Sequence, residues 1–234
     1  MKVLAIDTSN YTMSIAVLDG QMVLGELTTN LKKNHSVRLM PAIEQLLQEC
    51  GMKPKELQKI VVADGPGSYT GVRIGVTVAK TLAWSLQIPI TGVSSLEALA
   101  ANGLFFPGYI CPLFDARRQQ VYTGLYKDEA GALQSVKPDT ILIITDWLQQ
   151  LKELGQPVLF VGSDVPLHRE VIEQELGEQA VFAPISRYNP RAGELAVLGL
   201  QKPDEDIHSF VPNYIRLAEA EANWLASQGQ GLQK

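Results

Sequence analysis

The stretch that decides the fold reads Gly65-Pro66-Gly67-Ser68-Tyr69-Thr70-Gly71-Val72-Arg73-Ile74-Gly75. A short apolar run, residues 59–63, precedes it, and an apolar segment carries on from it to residue 86. Strand, glycine loop and helix in that order aim a helix N-terminus at the loop, where α/β folds place ligands. The loop lacks the Gly-Lys-Ser/Thr ending of a phosphate-cradling P-loop. Gly65 and Gly67 suit either a tight turn or a close approach of backbone to a ligand. Within the helix, Gly71, Gly75, Ala79 and Ala83 recur every four residues as a smooth stripe, while Val72, Ile74, Val76, Val78 and Leu82 cover the other faces. A helix so apolar needs cover on more than one side. The stripe faces either its own sheet or another subunit, and periodicity does not choose between them.

Working outward toward the N-terminus, residues 2–6, 13–18 and 22–27 read as strands, the last two joined by Asp19-Gly20, a two-residue hairpin turn. A helix is expected over residues 36–49, capped by Ser36, with Val37, Met40, Ile43 and Leu47 on one stripe and Gly51 just past its end. Pro41 implies a later start or a distorted first turn, because it removes a hydrogen bond. Beyond the long helix come a strand over 88–93 and a Ser94 cap before a helix over 96–101. Antiparallel strands followed by helix, strand, helix, strand, helix predict a mixed sheet with helices covering it.

Toward the C-terminus, residues 103–108, with Pro107, mark a domain junction. Residues 109–114 and 121–126 form a hairpin around Asp115-Ala116-Arg117-Arg118. A strand at 141–144, a helix over 145–154, a strand at 158–161, a helix over 167–176 and a strand at 180–182 continue the α/β pattern. Asn189-Pro190-Arg191 opens a further helix with Pro190 at its first position. The polar end of the chain, residues 227–234, predicts disorder.

Composition narrows the function classes. The 234 residues carry 20 basic and 25 acidic side chains, a formal net charge of −5, which argues against holding nucleic acid unaided. Cys50 and Cys111 are too few for a disulfide framework or a cysteine zinc site and read as buried thiols of a reducing compartment. The first apolar run ends at Asp7, too early for a signal peptide, and no run approaches the ~18 apolar residues of a membrane span. A cytoplasmic protein without membrane contact is expected.

Two loops invite chemistry. Asp7-Thr8-Ser9 follows directly on a buried strand, so Asp7 could hold a magnesium ion through water while Thr8 and Ser9 reach phosphate oxygens. The same three residues could equally form an Asx or ST turn that opens the hairpin. His35, His168 and His208 stand at no metal-ligand spacing and read as surface or capping residues, and no Gly-x-Ser-x-Gly elbow supports acyl transfer.

Several of these segments together resemble one family. Ile6-Asp7-Thr8-Ser9, the run from Gly65 to Gly75, Ala79-Lys80, Ile88-Pro89 and Gly92-Val93-Ser94-Ser95-Leu96-Glu97-Ala98-Leu99 are similar to the bacterial TsaB (YeaZ) proteins. Asp115-Ala116-Arg117-Arg118, Val121-Tyr122 and Pro212-Asn213-Tyr214-Ile215-Arg216 resemble that family's second-half motifs. The resemblance implies a two-lobe, duplicated RNase H-like fold of the actin, Hsp70 and sugar-kinase superfamily, α/β with mixed sheets. It places a first lobe at 1–104 and a second, reduced lobe at 105–226.

It also implies a role in making threonylcarbamoyladenosine, on N6 of the adenosine next to the anticodon (position 37) of tRNA, as a non-catalytic scaffold. That scaffold binds and activates the catalytic paralogue TsaD, helps recruit the ATPase TsaE and pairs with itself. Contact with tRNA would be indirect, and no cofactor is implied. TsaD carries a His-x-x-x-His metal pair where this chain has Ser95 and Leu99, neither able to replace imidazole. The second-lobe nucleotide glycines are likewise altered, to Asp115-Ala116-Arg117 and Val161-Gly162-Ser163-Asp164. By the resemblance, Asp7, Thr8, Ser9, Gly65 and Gly67 form a vestigial nucleotide site. Met40, Ile43, Leu47, Tyr69, Gly71, Arg73, Gly75, Ala79 and Ala83 become candidate contacts with the partner. An active nucleotide-dependent ATPase or kinase is the alternative, and a metallopeptidase, an old label for this branch, lacks its ligands.

Overall fold

The computed structural model describes residues 1–215. The tail 227–234 and Arg216 of the last motif lie outside the described residues. Strands β1 (Lys2–Asp7), β2 (Thr12–Asp19) and β3 (Met22–Asn30) form the expected antiparallel meander. Gly20 in its tight turn adopts φ +60, open to glycine at little cost. β4 (Lys59–Gly65) and β5 (Ile90–Ser94) add in parallel, giving the order β3-β2-β1-β4-β5.

Helices α1 (His35–Glu49) and α2 (Tyr69–Leu86) cover one face of this sheet. Asn34 caps α1, its side chain accepting the Ser36 N–H at 3.0 Å, in place of the expected Ser36 cap. Pro41 therefore stands inside the helix, on its exposed side, where the carbonyl one turn back can meet water. Gly51 at φ +65 ends α1, as its position predicted.

The second sheet repeats the first. β6 (Tyr109–Asp115), β7 (Gln120–Glu129) and β8 (Ala132–Ile143) are antiparallel, and β9 (Val158–Val161) and β10 (Ala180–Phe182) add in parallel. The resulting order, β8-β7-β6-β9-β10, is that of the first sheet strand for strand. β8 is far longer than the strand expected at 141–144. Helices α4 (Ile144–Lys152) and α5 (Val165–Leu176) follow β8 and β9 as α1 and α2 follow β3 and β4.

The third helix of each repeat crosses over. α3 (Ser95–Ala100) packs on β6 and β7 of the second sheet, with Leu96, Leu99 and Ala100 against Ile110, Phe114 and Val161. α6 (Ala192–Leu200) packs on β1 and β2 of the first, with Leu195 and Ala196 against Val3, Ala5 and Val61. Residues 1–104 and 105–226 were expected as separate lobes, and each of these stretches contributes a helix to the other's core. α6 begins at Ala192, two residues past the expected Pro190.

Candidate functional site

Side-chain direction follows from strand alternation. Leu4 and Ile6 of β1 face α1 and α2, while Val3 and Ala5 face α6. At the strand's end Asp7, Thr8 and Ser9 are all buried. Asp7 Oδ1 accepts the Ser9 N–H at 2.8 Å, the Asx-turn geometry, and Oδ2 is enclosed without a partner. Burial pushes the Asp7 carboxyl above the ordinary carboxylate range, because the charged form loses its water.

The two loops interlock. The Ser68 N–H donates to the Ser9 carbonyl at 2.7 Å, and Thr8 Oγ1 donates to the Gly71 carbonyl at 2.7 Å. A Cβ at Gly67 would strike the Ser9 carbonyl, and one at Gly71 the Thr8 carbonyl. The glycines thus allow backbone to approach backbone. Gly65, at φ +123, lies against the Asn213 carbonyl.

A cleft of about 780 Å³ opens beside these loops, between the lobes. Asn10, Tyr11, Lys32, Lys33, His35 and Ser68 line one wall, and Phe114, Asp115, Arg117, Tyr122, Asp164 and Leu167 the other. Of the five residues expected at a nucleotide site, Gly67 lines this cleft, and Asp7, Thr8, Ser9 and Gly65 do not. On the opposite wall Asp164 Oδ2 accepts the Asp115 N–H at 2.9 Å, and His168 Nε2 meets Asp115 Oδ1 at 3.1 Å. Burial raises the Asp164 carboxyl above its usual value.

The histidines also depart from expectation. His35 is buried, its Nε2 on the Asn10 carbonyl at 2.8 Å, and His168 binds Asp115. Only His208 is exposed. Cys111 is buried, as expected, whereas Cys50 keeps partial exposure at the end of α1. Among the described residues, no three His, Cys, Asp or Glu side chains cluster to hold a metal ion, and no helix is long and apolar enough to cross a membrane. Leu99 sits in the core between α3 and the second sheet, and Ser95 is buried with an unpartnered hydroxyl.

The candidate contact residues divide. Gly71, Gly75, Ala79 and Ala83 are buried against the chain's own sheet; a Cβ at Gly75 would meet Thr8 Oγ1. Ile43 and Leu47 are buried in the same core. Gly71 borders the cleft and the other five lie in the core, so the smooth stripe serves α2's approach to β1 and β4. Met40, Tyr69 and Arg73 are exposed.

With them come residues that the sequence did not single out as contacts. Val37 is 69% exposed and Trp84 60%, and Ile74 and Val78 are half-buried on the outer side of α2. A groove of about 450 Å³ runs along this face, lined by Ser36, Tyr69, Arg73, Ile74, Thr77 and Val78. The outward positions of α2, read as 70, 74 and 78 beside the inward 71, 75 and 79, were the available signal.

Comparison with known proteins places this geometry. The family model described as "TsaD: tRNA N6-adenosine threonylcarbamoyltransferase" matches residues 22–224. The tRNA threonylcarbamoyladenosine biosynthesis protein TsaB of Bacillus subtilis is 59% identical over 228 residues, covering 97% of this chain and all of that protein. Its Escherichia coli namesake is 31% identical over 64% of this chain and 68% of its own length.

Among solved structures, YeaZ from Pseudomonas aeruginosa aligns with a TM-score of 0.75 and 25% identity, over 91% of this chain and 99% of that one. The ethanolamine utilization protein EutJ from Carboxydothermus hydrogenoformans, 14% identical, shares the fold at a TM-score of 0.51 over 85% of this chain and 90% of that one. The fold is the two-lobe, duplicated RNase H-like architecture with mixed sheets.

Proposed function

The chain belongs to the TsaB family of tRNA threonylcarbamoyladenosine biosynthesis proteins, and from that premise we propose that it works as a non-catalytic scaffold for the modification of tRNA adenosine. Its partner is the transferase TsaD, which it binds and activates through the outer face of α1 and α2, and it helps recruit the ATPase TsaE. In the absence of TsaD the same face pairs two copies of the chain. Contact with tRNA runs through the complex, in keeping with the net charge of −5.

The observation that carries this reading is the burial of Asp7. A strand-end carboxylate that served a nucleotide would have to face the cleft as an anion, and this one is enclosed with its charged form disfavoured. The exposed Val37, Met40, Tyr69 and Trp84, by contrast, put large apolar groups into water on adjacent helices, the composition of an interface centre. Ser95 and Leu99 at the positions of TsaD's histidine pair support a chain that leaves the chemistry to its partner.

The test is reconstitution. Purified TsaD, TsaE and the threonylcarbamoyl-adenylate synthase are incubated with tRNA, with and without this protein. Modified adenosine should form at a useful rate only with it, and equal product in both arms would sink the proposal. Calorimetry with magnesium and ATP separates the rival: tight binding with turnover abolished by Asp7→Ala would make the protein an ATPase or kinase.

A further inference from the structure

After α6 the chain returns along the first sheet as a strap, residues 203–213. The Glu205 N–H donates to the Ile90 carbonyl at 2.9 Å, Thr91 Oγ1 to the Pro203 carbonyl at 3.2 Å, and the Asn213 N–H to the Asp64 carbonyl at 2.8 Å. Lys80 of α2 donates to the Phe210 carbonyl at 2.6 Å, and the Phe210 ring is buried in the first core. Just beyond, Tyr214 stacks on Tyr69 with ring centroids 5.0 Å apart.

Beneath the strap lies a carboxylate that the scaffold reading does not use. Asp64 Oδ1 is enclosed with no partner, and Oδ2 lies so near Gly92 that any side chain there would strike it. The Gly92 N–H donates to Glu205 Oε1 at 2.8 Å, so two carboxylates meet at one glycine. Among the described residues the cations around the strap are engaged elsewhere: Lys202, from its base, is paired with Glu97 of α3 at 2.6 Å and offsets the Asp64 shift only in part, Lys59 is paired with Asp204 at 2.9 Å, and Lys80 is committed to strap carbonyls. From β8, Asp139, held by Ser94 and Tyr126, adds a further negative charge.

We propose that Asp64, beside Glu205 at Gly92, forms a pH-sensitive latch, which seats the strap on the first sheet while Asp64 holds its proton and lifts it when the proton leaves. Burial first, and the Glu205 charge second, raise the Asp64 carboxyl from 3.8 to about 7. With the strap lifted, Asp64 meets water and returns toward 3.8. The seated state thus binds the proton more tightly, and lifting becomes easier as pH rises through that window and levels off above it. Between pH 5.5 and 8 the lifted population should grow about 30-fold. The latch goes beyond the scaffold reading and stands without it.

Amide hydrogen exchange of the full chain, corrected for intrinsic rates, reads this directly. The Glu205 and Asn213 amides should lose about 30-fold protection between pH 5.5 and 8, while the Ile60 amide, bonded to the Pro89 carbonyl within the same sheet, keeps its own. Asp64→Asn should hold the strap amides protected at both pH values. Glu205→Gln, which preserves an oxygen for the Gly92 N–H, should move the midpoint below that of the parent. Equal protection of the parent at both pH values, the same 30-fold change in Asp64→Asn, or an unmoved midpoint in Glu205→Gln would overturn the latch.

Discussion

The two lobes share a strand order and differ in what their outer helices present. On α4 and α5 the outward positions are mostly polar, with Asp146, Gln149, Gln150, Lys152, Arg169, Glu170 and Glu173 laced by the Arg169–Glu173 pair at 2.8 Å, and Leu167, 70% exposed beside the cleft, interrupts them. On α1 and α2 they include Val37, Met40, Tyr69 and Trp84. The strand-end aspartates diverge as well: Asp7 is sealed under interlocked loops, whereas Asp115 lines the cleft and is held by His168. Duplication sets the frame, since the inner faces must fill the same core. The outer faces obey no such constraint, and on the proposed reading one meets a partner and the other water.

The largest effect should come from mistaking an inner position for an outer one. Gly75→Glu forces a carboxylate against Thr8, Ile6 and Val62, so the protein should lose more than about 4 kcal/mol and fail to fold, seen as loss of the cooperative melt. A folded Gly75→Glu monomer would return the stripe to the surface. Next, the crossed helices tie the lobes together. Leu195→Ala in α6 should cost about 2–5 kcal/mol and reduce exchange protection in β1 and β4, although the residue lies in the second half of the chain. Losses confined to β6 and β9 would show that the exchange carries no stability.

Substitutions on the outer face should separate binding from folding. Val37→Glu with Trp84→Glu should change stability by under ~1 kcal/mol while weakening TsaD capture by more than about tenfold, measured by sedimentation. Asp7→Asn probes the sealed lobe through pH. Because folding raises the Asp7 pKa, its contribution is present below the ordinary carboxylate value and is lost as pH rises through the folded value. The variant should therefore gain on the parent in denaturant melts as pH rises, and an identical pH profile would remove the buried anion from the account. The smallest effect belongs to Arg169→Ala on α5, which gives up a surface ion pair and the contact over the Phe182 ring for about 0.5–1 kcal/mol.

Local signals carried much of this into the sequence. Asp19-Gly20, Gly51 and Ser94 each marked a boundary by a backbone or capping requirement that no distant contact can override. β8 is largely illegible in the sequence because Pro138, Asp139 and the polar run before them imitate a loop; the pairing with β7 skips Pro138 and Asp139 at an irregularity and holds the residues on either side extended. The crossing of α3 and α6 rests on contacts between residues far apart in sequence, which periodicity does not encode. The α2 stripe shows the same limit on a smaller scale. Small residues every four positions announce a close approach, and Thr8 Oγ1 on the Gly71 carbonyl decides that the approach is to the chain's own sheet. Asp7 could be placed at the strand end from sequence, but its burial depends on the Ser68 to Ser9 bond, which joins two loops some sixty residues apart.

On the proposed reading, function resides on the outer face of the first lobe and not in its sealed strand end. The most direct measurement compares two folded variants in the reconstituted tRNA modification reaction, Asp7→Asn and the double variant Val37→Glu with Trp84→Glu. Product should form at the parent rate with Asp7→Asn and little above the no-protein control with the double variant. Loss of activity in Asp7→Asn with full activity in the double variant would contradict it.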